Sequence, residues 1–569
     1  MFQLQHCWQR NCQTLLLFTI KIKHFPCKKS LNSQQMSNAQ VFLLYFLHLT
    51  ACLCFSQAQR PSPSTIGNNE DVYKVFRFYT NTTDDLHFVM MLQDAAAKLN
   101  LNFWTETVRT NSPVDVMIPE KSVPYIEKLC QINNIMYEIT IENVHKLIQE
   151  KKAMAEKRKQ FSRTFKDFVG SKRPLYDHSD YQSYNKMYRF MEALENAYPE
   201  NAKVLTLGKT RNGKPIYMIK IAENLNASGK KGFWINAGIH AREWASSSTA
   251  IIENCFFLGL IWYIVPLLNV DGYEFTRRNT HPDVSYLNIL TMNTVRLWRK
   301  NRSPAECLNN GQCCRGVDLN RNFNFNFGGE GSSTDPCDET FQGPFAFSEP
   351  ESRAVRDFVL AHKNHLGAFI DLHTYSQLWI HPYGHRPDTY PADVDDLKMT
   401  GIQAINELYS LYGTRYKVGS GADTLCMSWK QYFLHLMCIF LFTDPASGGM
   451  ADWVKSATKI KYTYLIELRP DEWVYDGFIL DQAQILPTAR ETWQGIKVVA
   501  DAVLRETHKA SIRSVFQYLL YIIIHLIFAK YFVSKLKLAY EEEYCDYTID
   551  MVKMTKKVEL ENMGRCRFI

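Results

Sequence analysis

From Tyr176 to Lys509 short apolar stretches alternate with helical ones, and several of the apolar stretches end on a residue able to bind a metal or move a proton. Phe233, Trp234 and Ile235 run into NAGIHAREWASSSTA, which puts His240, Arg242 and Glu243 close together. The stretch from Ala368 to Leu372 ends at His373, and KYTYLIELRPD delivers Glu467 near the end of another. Alternating strands and helices fold as layers on a sheet, and this region is long enough for a single α/β enzyme domain.

An isolated His-x-x-Glu is more often a helix cap or a solvated face than a site. Zinc accepts His nitrogen and Glu oxygen, however, and a catalytic zinc usually takes three protein ligands and a water. His373, at an accessible strand terminus, is the candidate third ligand.

The 569 residues leave room for an accessory domain beside that enzyme unit. The net charge of +7 is spread over interleaved acidic and basic residues without a basic stripe, which argues against a nucleic-acid partner. VFLLYFLHLTACLCF, residues 41 to 55, is too short and too early for a membrane span and precedes SQAQ, the pattern of a secretory signal. Residues 1–58 are therefore a leader, with Met36 the expected initiator. Export permits disulfides among the 15 cysteines, and Cys307, Cys313, Cys314 and Cys337 form an even set around one loop. The sequons at Asn81, Asn226 and Asn301 are compatible with secretion.

Residues 71–152 read as a small α/β module: strand VYKVFRFY, helix DDLHFVMMLQDAAAKL, strand VDVMIPE, helix VPYIEKLCQI and strand MYEITIEN. The basic segment that follows reads either as a solvated helix with a linker or as a connector built for cleavage by a trypsin-like protease. Residues 176–509 form the large domain. The tail from 510 contains VFQYLLYIIIHLIFA, an apolar run interrupted by Gln517 and His525 and below the length of a membrane helix, so an anchor is not expected.

His-x-x-Glu, Arg-Leu-Trp-Arg-Lys, Asp-x-Asn-Arg-Asn and Glu-Leu-Arg occur here in that order. With them the chain resembles the zinc metallocarboxypeptidases of the pancreatic carboxypeptidase A and B type, made with an activation propeptide. The resemblance implies a mixed, mostly parallel central sheet with helices on both faces, preceded by a small α/β open-sandwich propeptide at 71–152 and a cleavable connector at 153–175. It implies that His240, Glu243 and His373 hold one Zn2+ ion, that Asp318 orients the first histidine, that Glu467 is the general base and that Arg299 stabilises the oxyanion. Asn320 and Arg321 would bind the substrate's terminal carboxylate, and Arg242, Arg296 and Tyr375 would line the approach of the upstream peptide.

By the same resemblance Ala451 lies at the base of the specificity pocket, where the basic-specific branch carries an acidic residue. Gly421 and Leu465 add no charge there, so a neutral aliphatic or aromatic C-terminal residue is the expected substrate end. Cys314 and Cys337 match the family's disulfide, leaving Cys307 and Cys313 for a second bridge. The partners implied are peptide or protein C-termini and an activating trypsin-like protease cutting between Arg158 and Arg173. A monomer is expected.

The chain departs from the pattern in three places. CMSWKQYFLHLMCIFLFTD, residues 426 to 444, stands where the family has a mobile tyrosine before PASGGMADW, and neither Cys426 nor Asp444 is one. The helix SSSTAIIENCFFLG meets the strand LIWYIVPLLNV with almost no connection, and THPDVSYLNILTMNT is extra. These fit errors of gene prediction better than evolved features. The rival reading is a secreted zinc-binding matrix or interaction protein of the same fold with little or no turnover; retention of Glu467 and Arg299 argues against it.

Overall fold

The computed structural model describes residues 72–105, 112–166, 176–226, 228–251, 259–277, 295–309, 311–424 and 445–539. The leader with Met36, the segments at 280–294 and 426–444, the residues joining Ile251 to Gly259 and the tail beyond residue 539 lie outside the described residues.

The first module comprises β1 (Tyr73–Tyr79), α1 (Thr83–Asp94), β2 (Asn102–Phe103), β3 (Pro113–Pro119), α2 (Val123–Asn133) and β4 (Tyr137–Ile141). Its four strands pair antiparallel in the order β2-β3-β1-β4. Thr82 and Asp85 form a reciprocal capping box that starts α1. Side chains alternate across the pleat, so Phe76, Phe78, Val114, Val116 and Ile118 pack on α1 and α2. Tyr73, Val75 and Met117 emerge on the opposite face and pack on Leu297, Tyr375, Phe478 and Ile479 of the large domain. All the elements read from the sequence are present; β2, two residues long, carries too little pattern to read. α3 (Val144–Lys166) takes the chain into the basic segment as a helix.

The large domain begins with α4 (Tyr184–Ala197), β5 (Ala202–Lys209), β6 (Pro215–Ile221), β7 (Lys231–Ala237), α5 (Trp244–Ala250), β8 (Leu260–Val265) and α6 (Val270–Thr276). After the small hairpin β9 (Ala305–Cys307) and β10 (Cys313–Arg315) come α7 (Pro350–His362), β11 (Leu366–Ser376), β12 (Leu378–His381), α8 (Val394–Tyr412) and β13 (Lys417–Ser420). The domain ends with α9 (Met450–Thr458), β14 (Tyr462–Asp471) and α10 (Ile485–Ala539). Eight strands make one sheet ordered β13-β12-β14-β11-β7-β8-β6-β5. The central run β14-β11-β7-β8 is parallel, and antiparallel pairs join β12 to β14, β8 to β6 and β6 to β5.

Both faces of the sheet are covered, as parallel strands require. Phe233, Ile235, Ile370, Leu372 and Ile466 face α8 and α10, and their alternates Trp234 and Phe369 face α7 and α9. α8 buries Leu397, Thr400, Ala404 and Leu408, a helical stripe, and stops where Gly413 takes a left-handed conformation (φ 72°).

Two expected boundaries move. The strand read as LIWYIVPLLNV ends at Val265, because Pro266 has no N–H for a ladder, and Asn269 caps α6 by accepting from the Gly272 N–H at 2.9 Å. The tail is not set off at 510, since α10 runs through that point, leaving Phe516–Phe528 exposed. No helix among the described residues is long and apolar enough to cross a membrane.

Candidate active site

Three strand ends converge at the carboxyl edge of the parallel run, the usual location of ligand sites in open α/β sheets. Gly238 turns the chain out of β7 with φ 65°, and a Cβ there would lie 2.5 Å from Ser247 Oγ and 2.7 Å from Leu267. That turn brings His240 and Glu243 over the end of β11. His373 lies on β11 opposite Glu467 of β14 in the strand register.

His240, Glu243 and His373 are buried, and their ligand atoms all lie within 4.8 Å of one another, close enough to hold a metal ion. His240 Nδ1 is 2.6 Å from Glu243 Oε1, and His373 Nδ1 is 3.3 Å from Glu243 Oε2. Burial opposes ionisation of Glu243, but the two imidazoles outweigh it and hold the carboxylate well below its usual range. Burial likewise opposes charge on His373, and Asp371 and Glu243 overcome it, raising the imidazole well above its usual value in the metal-free protein. The two nitrogens and one carboxylate suit zinc, whose structural and catalytic sites use these donors.

Asp318 stands behind this cluster. Its Oδ1 lies 3.1 Å from His240 Nε2 and accepts from the Asn320 N–H at 2.9 Å, and its Oδ2 accepts from Arg299 Nε at 3.0 Å. It is fully buried; desolvation disfavours its charge, but Arg299 and His240 hold it ionised well below the ordinary value. A single carboxylate therefore orients a candidate ligand and fixes a guanidinium.

Glu467, Arg299, Asn320, Arg321, Arg242, Tyr375 and Ala451 line one cleft of about 1100 Å³ with His373. Arg321 Nε donates to Gly331 O at 2.7 Å, and Asn320 Oδ1 accepts from the Met450 N–H at 2.9 Å, which ties this strip to the start of α9. Gly421 and Leu465 lie on the same wall. Residues 187–495 match the zinc carboxypeptidase family, and residues 76–151 match the carboxypeptidase activation peptide. The chain belongs to the zinc carboxypeptidase family.

It is 32% identical to carboxypeptidase A1 of Sus scrofa over 456 residues, 77% of this chain and 95% of that one. It is 34% identical to carboxypeptidase B of Astacus astacus over 338 residues, 58% of this chain and 98% of that one. The crystal structure of carboxypeptidase A from Helicoverpa armigera matches with a TM-score of 0.61 at 26% identity, covering 77% of this chain and 98% of that one. The protein is thus a zinc metallocarboxypeptidase with an activation peptide, and its fold is the mixed α/β sheet expected from sequence.

In this carboxypeptidase the activation peptide caps the cleft. Arg242 Nη1 donates to Asn102 Oδ1 at 3.0 Å and its guanidinium lies 4.2 Å from the Phe478 ring centroid. Trp104 packs edge-on against Phe478 at 6.1 Å, in the space left by Gly477, where a Cβ would come within 2.8 Å of the indole. Arg77 pairs with its cross-strand partner Asp115 through bonds of 2.8 and 2.7 Å, and its Nη1 reaches out to the Trp473 carbonyl at 2.6 Å. Lys151 and Arg158 of α3 add ion pairs to Asp476 and Asp481 at 2.6 and 2.9 Å.

Arg296 takes a different position from the one its motif suggests. It is buried away from the cleft lining, stacked 3.7 Å over Trp244 and donating to the Arg242 and Phe478 carbonyls at 2.8 Å each. Burial lowers its pKa to about 9, so it stays charged at neutral pH. It braces Arg242 and Phe478, which both line the cleft.

The bridges Cys314–Cys337 and Cys307–Cys313 both form. Lys300, which sequence reading passed over, reinforces that loop by donating to the Pro336 and Asp338 carbonyls at 2.8 Å each. Asn301 is fully buried, its amide donating to Glu349 Oε2 at 2.7 Å, so of the three sequons only Asn81 and Asn226 are exposed. Two acidic residues were also missed. Asp452 lines the pocket beside Ala451 but turns its Oδ2 to the Gly384 N–H at 2.7 Å, and burial pushes it up to about 7. Asp371 falls in a stretch that reads as apolar overall; its signal is that a charged residue two places before His373 in a strand shares its face.

Proposed function

We propose that the protein is a secreted zymogen whose mature form removes neutral aliphatic or aromatic residues from peptide C-termini. His240, Glu243 and His373 would hold one zinc ion, which when bound lowers the pKa of a water and polarises the scissile carbonyl. Glu467 takes the water's proton and delivers it to the leaving amine. Arg299, held by Asp318, meets the negative charge that develops on the carbonyl oxygen, a fixed charge that needs no reorganisation.

Arg321 and Asn320 receive the terminal carboxylate, and Arg242 and Tyr375 receive the upstream peptide. Ala451, with Gly421 and Leu465, gives the side-chain pocket a small neutral base. Cleavage by a trypsin-like protease between Arg158 and Arg173 severs the tether and leaves the cap free to dissociate, and a monomer suffices because one chain contributes every residue named.

The observation that carries this reading is that His240, Glu243 and His373 bring their ligand atoms within 4.8 Å of one another while His373 shares one cleft with Glu467 and Arg299. The test is hydrolysis of peptides ending in Leu, Phe, Lys or Glu, before and after trypsin, with and without a chelator, for the natural chain and Glu467→Gln. Trypsin-dependent, chelator-sensitive release of Leu and Phe, abolished in Glu467→Gln, is expected. Zinc binding without turnover after cleavage would favour the interaction-protein reading instead.

A further inference from the structure

His240 and His373 are held alike. Each presents Nδ1 to a different oxygen of Glu243, and each has an aspartate at Nε2: Asp318 at 3.1 Å for His240 and Asp371 at 2.9 Å for His373. Asp371 is fully buried on β11, in register with Asn236 of β7, whose amide donates to Asp371 Oδ1 at 2.9 Å. The backbone alone accounts for the direction of this pair, since residues two apart on a strand point to the same face. It does not account for a fully buried carboxylate there, where burial of an unpaired charge is costly.

We propose that Asp371 is a positioning residue for His373: it accepts the Nε2–H, fixes the ring and its tautomer, and leaves the Nδ1 lone pair facing the metal locus. The proposal rests on the reading that His240, Glu243 and His373 hold zinc. A neutral imidazole carries one N–H, and an acceptor at one nitrogen decides which nitrogen can ligate. Asn236 sets the orientation of Asp371 in turn, because its N–H occupies Oδ1 and leaves Oδ2 for the histidine.

That orientation makes Asp371→Asn informative. Asn236 would keep donating to the amide oxygen of the new side chain, which turns its NH2 toward His373 Nε2. Donor would face donor, and the ring would be driven to the tautomer with the proton on Nδ1.

The experiment measures zinc affinity of the full-length chain by competition with a chromophoric chelator, together with the d–d absorption of the cobalt-substituted protein. Natural chain, His373→Ala, Asp371→Asn and Asp371→Ala are compared, with circular dichroism of each metal-free protein. Asp371→Asn is expected to weaken zinc about 10–100-fold and to shift the cobalt bands while the metal-free fold is unchanged. Affinity within twofold of the natural chain, with unmoved cobalt bands, in whichever Asp371 variant folds overturns the proposal, provided that His373→Ala loses the metal. If His373→Ala binds zinc as the natural chain does, the ligand assignment itself fails and the two failures are told apart.

Discussion

Asn102, on an edge strand of the activation peptide, accepts a hydrogen bond from Arg242 of the large domain at 3.0 Å. The residue proposed to receive the upstream peptide is thus already occupied by the chain's own first module. Loss of this bond alone, in Asn102→Ala, is worth about 1 kcal/mol. Arg77→Met should act more strongly, because it leaves Asp115 buried without its ion pair, a change that typically costs about 3–5 kcal/mol. The uncleaved Arg77→Met chain is expected to hydrolyse a small peptide that the natural zymogen does not, and Arg77→Met with Asp115→Leu should close the cleft again. Equal basal activity in all four proteins would show that the buried Arg77–Asp115 pair is dispensable for capping.

Asp318 joins Arg299 to His240, so Asp318→Asn loosens both at once. Its expected effect is a loss of about 10–100-fold in metal affinity, with a further fall in kcat at saturating zinc because Arg299 loses its counter-ion. An isotherm and a kcat both indistinguishable from the natural enzyme would refute the shared role.

Glu351 at the start of α7 gives a pH signature remote from the metal. Burial, with repulsion from Glu349, raises its pKa from 4.5 to about 7. The fold prefers the protonated carboxyl, so this contribution is complete below about 4.5 and lost as pH rises through about 7. Glu351→Gln should therefore gain in Tm relative to the natural chain as pH rises across that window, with a constant offset above it. A difference in Tm independent of pH would show that Glu351 does not titrate there.

Ala451, proposed as the base of the side-chain pocket, lines the cleft, and the carboxylate next to it, Asp452, is engaged by the Gly384 N–H. Ala451→Asp is expected to raise kcat/KM for peptides ending in Lys or Arg and to lower it for those ending in Leu by 10-fold or more, about 1.4 kcal/mol in each direction. Unchanged ranking among the substrates would place the pocket base elsewhere.

Much of this arrangement was legible because its signals are local. The strand-helix alternation reads as an α/β domain, while the mixed sheet and the expected site residues come from the family resemblance that four short motifs carry. Arg296 was less legible: two arginines in RLWRK look equivalent in sequence, and only packing on Trp244 separates the brace from Arg299. Asp371 escaped because the stretch from Ala368 to Leu372 reads as apolar overall, and its partner Asn236 comes from a strand 135 residues away. Asn301 reads as a glycan acceptor by its three-residue pattern, while burial, a tertiary property, assigns its amide to Glu349.

The face of the activation peptide that carries Tyr73, Val75, Trp104 and Met117 is anchored to the large domain by noncovalent contacts that lie before the proposed cut. Cleaving the connector after Arg158 breaks none of them. It removes a tether, and with it an effective concentration that short linkers set in the millimolar range. Activation then becomes a dilution step: cleaved protein stays capped wherever it is concentrated above the dissociation constant of its own severed module, and begins to work as it spreads.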